Sequence, residues 1–132
     1  MLPPSVLSEM LDDEVAAALG RVGDRAGALR RTGTSVTAEL GEHLLLLDGA
    51  RYEAEPFRVS VVSRTGTPVG HEGWPPGLSL GNHPILNRPF ACIQGTYEYH
   101  AHPSHLADHW ARYRSRIRLP DLLDHLLRKA GR

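Results

Sequence analysis

The 132-residue sequence holds one cysteine, Cys92, and one lysine, Lys129. A single thiol excludes an internal disulfide framework and fits a reducing setting. The other 14 basic residues are arginines, a composition common in GC-rich bacterial genomes. There is no excess charge of either sign: 15 Lys+Arg face 15 Asp+Glu. A dedicated nucleic-acid binder normally carries a basic surplus, so no nucleic-acid partner is expected. No apolar run approaches the ~20 residues that span a bilayer, so no membrane partner is expected either. Met1-Leu2-Pro3-Pro4 lacks the basic start and apolar stretch of a signal peptide, and a cytoplasmic setting follows as the expectation. The length suits one compact domain over residues 1–132, within the usual range on the order of 100–150.

The pattern predicts an α+β fold. Leu7, Met10, Leu11, Val15, Ala18, Leu19 and Val22 recur at helical spacing. Ser5 is the candidate cap of this first helix, and Gly20 to Gly23 its stop. Residues 23–34 read as a polar connection with residual helix. From Ser35 the period becomes two: Val36, Ala38 and Leu40 alternate with Thr37 and Glu39. Gly41-Glu42 turns the chain into an apolar run over 43–47. Asp48-Gly49 is a hairpin signal, with Arg51 to Glu53 expected to pair back. Phe57, Val59 and Val61 make a further strand. Strands this close in sequence form an antiparallel meander, with the first helix packed on one face. Near the end, Leu119, Leu122, Leu123, Leu126 and Leu127 share one helical face, Pro120 sits in the first turn and Gly131 is a plausible stop.

Between strands and last helix the character changes. Residues 66–90 hold five prolines and five glycines. Such a segment has little regular structure, with Leu78 to Asn82 the one candidate edge strand. A rigid proline-pinned segment in a small domain is often functional. The stretch Trp74–Trp110 carries the cysteine, both tryptophans and five of the eight histidines.

Two chemistries compete for that stretch. Cys92 offers the strongest neutral-pH nucleophile among side chains, with His83 and Asn82 upstream and polar groups downstream. Alternatively His100, His102, His105 and His109, spaced H-x-H-x2-H-x3-H, gather around a zinc ion, with His105 and His109 on one helix face. Without a Cys-x-x-Cys partner the zinc pattern is incomplete. Bland roles compete with both: a lone cysteine is commonly a small buried hydrophobe, and Arg112, Arg114, Arg116 and Arg118 suit a solvated or partner-facing surface.

The order of landmarks resembles the ubiquitin-conjugating enzyme family. Trp74-Pro75-Pro76 is similar to the family's proline element and His83-Pro84 to its His-Pro. Cys92 follows His83 by nine positions, and Trp110 precedes a Leu-rich helix. The resemblance covers about residues 40–130. The long Cys-to-Trp stretch is similar to divergent bacterial relatives in ubiquitin-like conjugation and anti-phage operons. The resemblance implies a UBC-like α+β domain: an N-terminal helix on an antiparallel meander, a proline-rich active-site segment and a C-terminal helix.

It also implies acyl relay. An adenylating activating enzyme would deliver a ubiquitin-like protein to Cys92 as a thioester, and an amine of a protein target would then take it. No cofactor is needed. The Asn of the family motif falls at Ile85, so Asn82, Asn87, His83 or backbone N–H groups stand in as oxyanion donors. Asp108, His100, His102 and His105 are the candidates to steer or deprotonate the incoming amine. The alternative is a non-catalytic zinc-binding or scaffold module of the same pathway.

Overall fold

Alternation in residues 35–48 sets the core face of the sheet. Val36, Ala38 and Leu40 are buried while their neighbours are half-exposed, so β2 (Ser35–Leu40) presents one apolar face. In β3 (His43–Asp48) Leu45 and Leu47 are buried, and in β4 (Arg58–Val62) Val59 and Val61. The register aligns them: Ala38 faces Leu45 and Leu45 faces Val61, while Val36 faces Leu47 and Leu47 faces Val59. Two apolar rows thus cross the sheet, and a one-residue slip would turn both toward solvent.

The computed structural model describes residues 1–132. Helix α1 (Pro4–Val22) leads, followed by β1 (Arg30–Thr32) and the three longer strands; α2 (Tyr97–His100) and α3 (Leu119–Lys129) close the order. The sheet is wholly antiparallel with neighbours in chain order, β1-β2-β3-β4. Leu7, Leu11, Ala18 and Val22 of α1 join the five buried leucines of α3 and the sheet's inner face in one core. The protein is therefore α+β, with an N-terminal helix, a four-stranded antiparallel sheet and a C-terminal helix. No helix is long and apolar enough to cross a membrane.

Polar contacts fix the two long helices against each other. Glu14 accepts the orphan Leu119 N–H at 2.8 Å and pairs with Arg118. Arg21 and Arg25 reach Asp124, and Arg21 also reaches Asp121. Asp121 caps α3 by accepting the Arg118 N–H at 3.0 Å. Past the helix end, Gly131 at φ 81° lets Arg132 N–H bond back to the Leu127 carbonyl.

Four local expectations change. The first helix has no side-chain cap; Pro3 precedes it, and Pro4 supplies a first-turn residue with no N–H to satisfy. The connection over 23–34 holds a 3-10 turn and the short strand β1. Arg51 to Glu53 form a turn and do not pair back; Tyr52 folds inward, fully buried, stacking on Phe57 at 4.2 Å with its hydroxyl donating to Glu14. Burying that ring displaces the local hairpin signal. Leu78 to Asn82 make no strand, only a single bridge from Asn82 to Pro89, since the prolines remove the donors a ladder requires.

Candidate active site

An unpaired sheet edge must be covered, and covering β4 is what places the site. The Val61 carbonyl accepts Val69 N–H, the Val59 amide donates to the buried Glu98 carboxylate at 2.9 Å, and the Phe57 carbonyl accepts Tyr97 N–H at 2.8 Å. Arg88 reaches the Val59 carbonyl and pairs with Glu98. The proline-pinned segment and α2 are both fastened to one strand. Burial pushes the Glu98 carboxyl up, opposed by the Arg88 charge and the Val59 amide.

His83 holds the loop that follows. Its side chain is buried, Nδ1 accepts the amides of Ile85 and Leu86 at 3.1 Å, and Nε2 lies 2.8 Å from the Glu98 carbonyl. Two accepted amides make Nδ1 the bare nitrogen, so Nε2 carries the proton and donates. Both nitrogens of His83 are engaged, and its role in this structure is architectural. Asn87, at φ 53°, closes the same turn. The side chains of Asn82 and Asn87 are exposed. Ile85 is 64% exposed and its amide is held by His83, so position 85 supplies no oxyanion donor by side chain or backbone.

Ala91 and Ile93 point into the core and leave Cys92 between them, half-buried. Its sulfur lies 3.6 Å from Nε2 of His105. Gly77, Leu78, Leu80, Ile93 and Lys129 line a small cleft beside it. Burial pushes the Cys92 thiol up from its ordinary value. A raised thiol needs a base before its sulfur can act as a nucleophile, and His105 is the group within reach.

Behind His105 stands a polar cluster. The imidazole stacks on Tyr99, centroids 4.1 Å apart and planes 10° from parallel. The Tyr99 hydroxyl donates to Asp108 at 2.6 Å, Gln94 donates to the same oxygen at 2.9 Å, and the Tyr113 hydroxyl donates to the other. These donors hold the Asp108 carboxyl down to about 2, and the arrangement raises Tyr99 to about 12. His100 bonds the Asp108 carbonyl through Nδ1 and accepts Gly95 N–H at Nε2. Thr96 starts α2, accepting Tyr99 N–H at 3.1 Å, and so sets the direction of the Tyr99 ring.

Of the sequence-predicted residues, the structure brings together Cys92 and His105, with His102 next to them at 5.6 Å between the imidazoles. His102 faces His83 and Phe90 and accepts Ser104 N–H at Nδ1. His109 is exposed and shares no helix with His105, which ends a separate 3-10 turn. No group of three or more His, Cys, Asp or Glu side chains is gathered as an ion would need. His100 in particular has both ring nitrogens on backbone groups. Arg112, Arg114 and Arg116 are exposed, while Arg118 pairs with Glu14 and Glu53. Tyr99, Glu98 and Arg88 were not singled out by the sequence; the Thr96-x-x-Tyr99 cap spacing is the one local signal for the first. No family model and no curated protein matches the chain.

Proposed function

We propose that this protein is a ubiquitin-conjugating-like acyltransferase in which Cys92 carries the acyl group as a thioester. The observation that carries the reading is the 3.6 Å contact between the Cys92 sulfur and His105 Nε2, at the rim of the proline-pinned segment. The order of helix, antiparallel meander, proline segment, cysteine and C-terminal helix supports the same reading.

In this reading the thiol proton moves to His105 Nε2 as sulfur attacks the carbonyl of the incoming thioester. The tetrahedral intermediate collapses, the donor thiol leaves with a proton, and the acyl group stays on Cys92. A target amine then forms the amide bond to that carbonyl, loses its proton to a base, and Cys92 departs as thiol. The partners are an adenylating activating enzyme, a ubiquitin-like protein and an amine-bearing target, in the cytoplasm. No cofactor takes part.

The test combines the protein with an activating enzyme and ubiquitin-like protein of the same genome and ATP. Wild type should gain an adduct cleaved by reductant, Cys92→Ser a reductant-stable oxyester adduct, and Cys92→Ala none. An adduct of equal yield on Cys92→Ala overturns the proposal.

A further inference from the structure

In most nucleophile–base pairs a third group orients the base by a hydrogen bond to its far nitrogen. His105 has no carboxylate there; the one histidine–carboxylate contact in the chain joins His43 to Glu42 at 3.7 Å. What holds the imidazole is the near-parallel face of Tyr99. What holds Tyr99 is its hydrogen bond to Asp108, a carboxylate that Gln94 and Tyr113 fix in turn.

We propose that Tyr99 and Asp108 are positioning residues for His105, acting through the ring face. The stack sets the imidazole plane so that Nε2 points at the Cys92 sulfur. The anionic hydrogen-bond acceptor on the Tyr99 hydroxyl enriches the phenol ring in electrons. When the thiol proton reaches His105, the resulting imidazolium faces that ring and gains a cation–π contact that the neutral imidazole lacks. Asp108 thus favours the thiolate–imidazolium pair without touching either member. This inference rests on the reading of Cys92 as nucleophile, and it reassigns Asp108, whose oxygens are occupied by three donors, from amine base to support.

The groups facing His105 are consistent with it. Besides Cys92 and Tyr99, the imidazole faces His102, and His100 lies edge-on to Tyr99 at 4.9 Å. Burial holds both of these histidines below their ordinary range. At neutral pH they set no second positive charge beside the imidazolium.

Because Cys92 is the only cysteine, alkylation by iodoacetamide reports on it alone, with no partner protein required. The rate is measured from pH 5 to 10 on wild type, His105→Ala, Tyr99→Phe, Asp108→Asn and Tyr113→Phe, each checked for folding by thermal unfolding. Tyr99→Phe keeps the ring and removes one oxygen, so it carries the test should Asp108→Asn unfold. Tyr99→Phe and Asp108→Asn should move the pH midpoint toward that of His105→Ala and slow alkylation at pH 7 by about two- to fivefold, as for a part-exposed cation–π contact. Tyr113→Phe, which bonds the same carboxylate but does not stack on His105, should move it less. A role confined to stability would lower the unfolding temperature and leave the midpoint in place. If His105→Ala shifts the profile while Tyr99→Phe and Asp108→Asn do not, the proposal is overturned and the Cys92–His105 pair stands. If His105→Ala leaves the profile unchanged, the pair itself falls, and the proposal with it.

Discussion

Arg88 and Glu98 form an ion pair at 2.5 Å in which the carboxylate is 1% exposed and the guanidinium 33%. The pair joins the loop before Cys92 to the helix that carries Tyr99, and Glu98 also holds the Val59 amide of the sheet. Removing one partner of a buried pair leaves an uncompensated charge, which is the costly change. Arg88→Ala should destabilise the fold by about 2–4 kcal/mol, below the fully buried range because Arg88 is partly solvated. Without the guanidinium the Glu98 carboxyl rises further and takes a proton in the folded state. A carboxyl whose folded pKa lies above its unfolded one loses stability as pH rises through that interval. Urea unfolding of Arg88→Ala should therefore show the deficit growing from pH 4.5 to 7; a constant deficit would refute a charged Glu98 as the cause.

His83 makes a similar claim on the fold, with a different signature. Its ring satisfies the Ile85 and Leu86 amides and the Glu98 carbonyl, all beside a buried core. His83→Ala strands these groups, at about 1–3 kcal/mol for a buried unsatisfied polar group. Both thermal stability and Cys92 alkylation should suffer, because the loop leading to Cys92 loosens. Were His83 a base instead, His83→Ala would change the alkylation pH profile with unfolding temperature unaltered.

The sheet and the long helices were legible because burial writes periodicity into sequence. Val36, Ala38 and Leu40 announce one sheet face and the α3 leucines one helix face. Strand β1 was not legible: Arg30, Arg31 and Thr32 carry no apolar pattern, and the strand forms because β2 offers it a ladder. Arg51 to Glu53 fail to pair back for a related reason, since Asp48-Gly49 argues locally for a hairpin while the burial of the Tyr52 ring against Phe57 and Glu14 is non-local. Cys92 and His105 were each legible as candidate chemistry-bearing residues, one as a nucleophile and one both as a base toward the incoming amine and as a member of a metal quartet. Their contact was not, because it spans 13 residues of irregular chain. Nothing in the residues alone indicated a buried Glu98, whose partners lie 10 and 39 positions away.

Acidification through the histidine range should weaken the fold. Desolvation holds His100 and His102 below the ordinary histidine range, and at the exposed His125 partial desolvation and the Arg128 and Lys129 charges act in the same direction. The unfolded chain takes up protons near pH 6.5, the folded chain resists, and stability falls as pH drops below that value. The structural reason is sharpest at His100, where a proton on Nε2 would confront the Gly95 N–H it now accepts. Thermal unfolding should drop by about 2–6 °C from pH 7.5 to 5.5. His100→Gln, less stable at pH 7.5, should show a shallower pH slope. An unfolding temperature flat across this range would contradict the neutral, hydrogen-bonded His100.

Lys129 is the only lysine in the chain and lines the cleft beside Cys92. Under the proposed reading, an acyl group on Cys92 with no external amine meets this one. The amine must be deprotonated to attack, so the transfer should accelerate with pH. An N-acetylglycine thioester of a small thiol can load Cys92 without partner proteins. At pH 8.5 to 9 the wild-type label should convert slowly from a form removed by reductant to a reductant-resistant amide mapped by mass spectrometry to Lys129. Lys129→Arg should keep the labile adduct and lose the amide, because a guanidinium stays protonated and non-nucleophilic. Resistant label appearing at the wild-type rate on Lys129→Arg would assign the acceptor to the N-terminal amine and defeat the prediction.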